Sequence, residues 1–159
     1  FSSFARMPEA EIKLDNLSKC LEEAYLLYFN TRKDIKLNLI KPENDIYFHF
    51  DTLQISRCFN NLIKNAIEAV EKIPNPAVEV LLATDVKNIK IEIKDNGVGI
   101  DEKMLSKIFE PYFTTKTKGT GLGLSIVKRI IEDHGGKIKI EKNKNMAGTT
   151  SLINFEYNA

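Results

Sequence analysis

The chain has 159 residues, 43% of them hydrophobic, which supplies the core of one domain and leaves little length for a second. Its 23 Lys and Arg nearly cancel its 22 Asp and Glu, and no basic stripe interleaved with aromatics appears, so no nucleic-acid partner is expected. No apolar run approaches the roughly 20 residues of a membrane span and no signal peptide is recognisable, so the domain is expected to be soluble, cytoplasmic and without membrane contact of its own.

The chain begins with Phe1 rather than Met, inside an amphipathic stretch (Phe1, Phe4, Ala5), and reads as a piece of something larger. Residues 1–8 read as the end of a helix stopped by Pro8, followed by an extended stretch around Ile12 to Leu14. Asn16 is a candidate N-cap for a helix to about Arg32, with Leu17, Cys20, Leu21, Ala24, Leu27 and Tyr28 at helical spacing. Alternation at Ile35, Leu37 and Leu39, and again at Ile46, Phe48 and Phe50, predicts two strands; with 41–45 as the turn, they are expected to pair. Asp51-Thr52-Leu53-Gln54 has capping-box form and opens a helix to about Ile73, ended by Pro74 and Pro76, with a core stripe of Ile55, Phe59, Leu62, Ile63, Ala66, Ile67 and Val70.

Strands are predicted at 78–84 and 89–94, then a helix from about Gly123 to His134 ended by Gly135-Gly136, then strands at 137–141 and 150–155. About five strands grouped in hairpins and three long helices predict a mixed two-layer α/β sandwich, an α+β arrangement, rather than a strict βαβ repeat. Cys20 and Cys58 lack CxxC spacing and a His cluster, and sit among apolar residues at helical positions, the pattern of reduced core thiols.

Four segments carry chemistry. Asn61, Asn65 and Glu68 fall at i, i+4 and i+7 on one helix stripe, nearly opposite the apolar one. An ordinary solvated face is one explanation; against it, asparagine is a mediocre helix former, and its neutral carbonyl oxygen suits Mg²⁺ already bound to phosphates and water. In Ile89-Lys90-Ile91-Glu92-Ile93-Lys94 the next residue in apolar register is Asp95, a carboxylate on the inward face that needs hydrogen-bond donors, such as an adenine amine. Gly97 and Gly99 follow at once and would allow close backbone approach of a flat ligand, although a strand-ending turn has the same form. Gly119-Thr120-Gly121-Leu122-Gly123-Leu124-Ser125 runs straight into a helix, where N–H groups and the helix dipole could meet phosphates; a hinge reading is equally compatible. Between the glycine clusters, residues 109–118 mix three aromatics with Lys116 and Lys118, the composition of a small satellite core with phosphate-reaching cations.

In this order the segments resemble the GHKL ATPase superfamily and, within it, the sensor histidine kinases: NNLIKNAIEA at 60–69 resembles the N box, DNGVGI at 95–100 the first glycine box, FEPYFTTK at 109–116 the F box and GTGLGLSIVK at 119–128 the second glycine box. The resemblance covers essentially residues 9–157, and FSSFARMP at 1–8 with EDHGG at 132–136 is similar to the nitrogen-regulation branch. It implies a Bergerat-type fold, a mostly antiparallel mixed sheet covered on one face by about three helices. Residues 9–159 would be the catalytic ATP-binding domain, and 1–8 the exit of the dimerisation and histidine-phosphotransfer hairpin.

By the same resemblance the domain takes ATP and Mg²⁺. Asn65 would be the Mg²⁺ ligand, Asn61 would assist at the metal or phosphates, and Asp95 would read the adenine amine. Gly97, Gly99, Ile100, Phe113, Lys116, Lys118, Gly119, Thr120, Gly121, Leu122, Gly123 and Leu124 would complete the nucleotide site, with residues 101–118 as its lid. Hydrolytic members carry a glutamate general base where Asn61 stands, which implies transfer of phosphate to protein rather than to water. Glu68 departs from the Lys or Arg that many histidine kinases place there, and Lys116 or Lys118 is the substitute. Neither His49 nor His134 lies in the context of a phosphoacceptor, so the acceptor is expected on the phosphotransfer domain of the same kinase, with a response regulator downstream. The fragment itself is expected to be monomeric, and its parent protein is open to anchoring in the inner membrane. A serine kinase of the anti-sigma type and a nucleotide-sensing pseudokinase are the competing readings.

Overall fold

The structure, a computed structural model, describes residues 8–113 and 123–157. In chain order its elements are β1 (Lys13–Asn16), α1 (Leu17–Phe29), β2 (Lys36–Ile40), β3 (Tyr47–Phe50), α2 (Thr52–Val70), β4 (Ala77–Thr84), β5 (Asn88–Asp95), the single turn α3 (Glu102–Leu105), α4 (Gly123–Asp133), β6 (Lys137–Lys142) and β7 (Thr149–Glu156). Side-chain caps start the first two long helices where the sequence places them. Asn16 accepts from Lys19 N–H at 2.9 Å and Asp51 from Gln54 N–H at 3.0 Å. Both helices stop about three residues early, α2 at Val70, because Pro74 disfavours helical backbone at Ile73 and the chain turns through Asn75 at φ 55°.

The main sheet has the order β2-β4-β5-β7-β6, antiparallel except for the parallel pair β2 and β4, and β1 and β3 form a separate two-stranded antiparallel sheet. The predicted pairing of β2 with β3 is therefore wrong. Period-two alternation marks which side chains point inward, and both strands do bury Leu37 and Phe50, but it does not name the hydrogen-bonding neighbour. β2 reaches β4 through the α2 crossover, while β3 runs directly into the cap of α2 and takes the incoming chain as its partner. Phe48 of β3 meets the Phe155 ring with centroids 5.0 Å apart, closing the end of the core.

All seven residues of the predicted α2 stripe are buried. They face Val80, Leu82, Ile91 and Ile93 of the sheet, and α2 lies between α1 and α4, so three long helices cover one sheet face. Cys20 and Cys58 are free and buried in this core, and burial pushes both thiols up to about 12. No helix among the described residues is long and apolar enough to cross a membrane.

The capping box is only half made. Gln54 sends its side-chain amide to the Pro8 carbonyl (3.1 Å) instead of back to the cap, and Asp51 N–H finds His134 Nε2 at 3.0 Å. His134 Nδ1 lies 2.7 Å from the Ile130 carbonyl. An acceptor Nε2 requires the proton on Nδ1, so the ring bridges the end of α4 to the start of α2 with both nitrogens engaged. Replacing His134 by Ala should cost about 1–3 kcal/mol of unfolding free energy, because the buried Asp51 N–H loses its partner, while the Ile130 carbonyl keeps the main-chain N–H of residue 134. Urea titration of the two proteins checks this, and an unchanged midpoint would show that the bridge contributes nothing.

Candidate functional site

The inward parity of β5 ends on Asp95, which is only 6% exposed. Among the described residues its carboxylate receives Gly97 N–H at 2.9 Å and Thr149 N–H at 3.3 Å, both at Oδ1. Burial pushes its pKa above the usual aspartate range, and these two N–H groups oppose that only in part. A buried carboxylate held on one oxygen by main chain is arranged to accept further donors on the other.

The Asp95–Ile100 loop is drawn tightly onto α2. A Cβ on Gly97 would lie 2.4 Å from the Ala69 carbonyl oxygen, so the close approach at this glycine is made by the helix backbone. Gly99 has φ +82°, which suits glycine, and Ile100 is half-buried. One to two turns earlier on α2, Asn65 Nδ2 donates to Asn61 Oδ1 at 3.2 Å, which turns Asn65 Oδ1 away from Asn61. A Cβ on Gly123 would fall 2.8 Å from Asn61 Nδ2, so the first residue of α4 rests on the asparagine stripe. The stripe is half-buried rather than a solvated face. α2 thus gathers three of the predicted segments: the asparagines on itself, the Asp95 loop at Ala69 and the start of α4 at Asn61.

Other candidates fare differently. Leu124 packs against the hydrophobic core. Glu68 is half-buried and close enough to Tyr28 for its charge to add to the burial that raises the tyrosine pKa. In the segment after α3, Ile108 is buried and Lys128 lies over the Phe109 ring at 5.6 Å, a small satellite contact, while Phe113 is half-buried and Tyr112 is exposed at φ 68°. Lys116, Lys118, Gly119, Thr120, Gly121 and Leu122 lie outside the described residues, as does 1–7.

The sequence did not point to the β6–β7 hairpin, which supplies Thr149 and packs on the same loop. Gly148, at φ +107°, sits so close to the Asp95 carbonyl that a Cβ would fall 2.0 Å from it, and Asn143 Nδ2 donates to that carbonyl at 2.7 Å. The signal in the sequence was slight: a glycine ahead of the last strand and an asparagine ending the one before.

The donor chemistry suits a nucleotide with its metal. Neutral amide oxygens such as those of the asparagine stripe are the kind Mg²⁺ takes beside phosphates and water, and a buried carboxylate such as that of Asp95 has the acceptor chemistry that a heteroaromatic amine requires.

Comparison with known proteins agrees with this geometry. Residues 50–158 match the family described as histidine kinase-, DNA gyrase B-, and HSP90-like ATPase. The nitrogen regulation protein NtrY of Azorhizobium caulinodans is 34% identical over 145 residues, covering 88% of this chain and 19% of that protein. The catalytic domain of the histidine kinase ThkA superimposes with a TM-score of 0.82 at 34% identity, over 92% of this chain and 95% of that one. ThkA solved in complex with the response regulator protein TrrA gives 0.82 at 27% identity, over 98% of this chain and 44% of that one. The chain spans about a fifth to a quarter of the length of the curated relatives it matches.

Proposed function

Because this chain belongs to the histidine kinase-, DNA gyrase B-, and HSP90-like ATPase family, we propose that it is the catalytic domain of a sensor histidine kinase of the nitrogen-regulation type, which binds Mg-ATP and passes the γ-phosphoryl group to a histidine on the dimerisation and phosphotransfer domain of the same protein. That domain would then phosphorylate a response regulator, and the TrrA complex of a structural neighbour supports such a partner. The observation that carries the reading is Asp95, a buried carboxylate held by main-chain N–H at Oδ1 and flanked by the asparagine stripe of α2.

In this reading Asp95 accepts the adenine amine and excludes guanine, whose carbonyl would meet a carboxylate. Asn65 Oδ1 would hold Mg²⁺, which would supply neutralisation of phosphate charge, and Asn61 steadies the Asn65 amide through their hydrogen bond. The second glycine box, with Lys116 and Lys118, would supply further contacts to the phosphates. Asn61 cannot take a proton from water, so the site holds ATP for an incoming nucleophile. Residues 1–8 would be the exit of the upstream hairpin, and the domain works in the cytoplasm.

Titration calorimetry with the non-hydrolysable β,γ-imido analogue of ATP is the direct test. Binding should need Mg²⁺ for full affinity and should not be matched by the guanine analogue. Equal affinity for both bases would remove the basis for the proposal.

A further inference from the structure

The β5–β7 ladder runs from Asn88↔Glu156 to Lys94↔Thr150 and then changes character. At the next position Thr149 N–H goes to the Asp95 carboxylate, and the Asp95 main-chain carbonyl is taken by the side chain of Asn143, 48 residues away, at 2.7 Å. Asn143 is itself held on every side. Its Nδ2 also reaches the Ala147 carbonyl at 3.0 Å, its Oδ1 accepts from Thr150 Oγ1 at 2.5 Å, and its main-chain N–H bonds the Gly148 carbonyl at 3.0 Å. Gly148, without a Cβ, lets the hairpin come down onto Asp95.

From this exchange of partners we infer that Asn143 is a positioning residue for adenine recognition: its amide satisfies the Asp95 carbonyl, and so leaves Thr149 N–H to hold the carboxylate in the orientation that reads the base. A carbonyl at the end of a buried strand must be paired. Continued by one step, the β5–β7 register sets Thr149 opposite Asp95, so without Asn143 the Thr149 N–H would turn to that carbonyl and leave Oδ1, and of these two main-chain donors the carboxylate would keep only Gly97. The inference rests on the proposed role of Asp95 and adds to it a residue that acts through Asp95.

The experiment is a double-mutant cycle read by calorimetry with the β,γ-imido analogues of ATP and GTP. Asn143→Ala should weaken ATP-analogue binding roughly tenfold and lower the adenine-over-guanine preference by a similar factor, the scale of one buried hydrogen bond redirected. In the Asp95→Asn background the same substitution should cost almost nothing more, because it acts through the carboxylate. Additive losses in the double variant, or an unchanged base preference in Asn143→Ala, would overturn the inference. If Asp95→Asn itself keeps the parent affinity and preference, the role of Asp95 fails and the positioning of it falls too. Thr150→Val removes only the anchor on Asn143 Oδ1 and should shift the base preference in the same direction; it serves should Asn143→Ala fail to fold, and an unshifted preference there would count against the inference.

Discussion

Asp95→Asn is expected to lose about 1.5–3 kcal/mol of ATP affinity, roughly ten- to a hundredfold, while the unliganded domain stays folded. The asparagine keeps an oxygen for Gly97 N–H and Thr149 N–H but gives up the charge, and its second amide end would donate toward a ligand amine that also donates. The substitution should leave the unliganded fold as stable as before or more so. With a folded pKa raised above its unfolded value, the carboxylate is penalised when charged, so it contributes least at neutral pH and more as acid protonates it. The same raised pKa predicts that ATP affinity falls on acidification at a higher pH than an ordinary aspartate would dictate, because the protonated group no longer accepts on both oxygens. Calorimetry at several pH values, with thermal unfolding beside it, separates the two effects. Parent-like affinity in the variant would end the assignment of Asp95 to the base.

With Asn65 as the proposed metal ligand, Asn65→Ala should lower phosphoryl transfer by about a hundredfold or more, since metal-ion charge stabilisation amounts to several kcal/mol. The measurement is label from γ-labelled ATP on a separately made helical hairpin carrying the acceptor histidine. Transfer by the parent chain should be weak, because cutting the covalent tether lowers the effective concentration of the acceptor. Without the hairpin, the chain should yield no acid-labile phosphoprotein. Both ring nitrogens of His134 are committed to Ile130 and Asp51, and His49 stands in β3 opposite Leu14 of β1. Strong labelling of either histidine would overturn this division of labour.

Much of this protein was legible in its sequence because the deciding physics is local. The caps at Asn16 and Asp51 bond donors three residues away, the α2 stripe repeats within a single helix, and the inward parity of Asp95 follows from the alternation of Ile89 to Lys94 before it. The asparagines at 61 and 65 share a helix face for the same reason, so helical spacing alone brings them together.

What the tertiary structure alone decided lies between distant segments. Which strands pair, β2 with β4 and β3 with β1, depends on where α2 crosses and not on any pattern within a strand. His134 completes the α2 cap from 83 residues away, displacing the glutamine arm that the capping pattern implies. Asn143, Gly148 and Thr149 surround Asp95 only because β7 pairs with β5 and carries the hairpin turn onto the end of that strand. A side chain's periodicity tells which way it points; the donor that meets a buried carbonyl or carboxylate is chosen by whichever segment the closed core brings alongside.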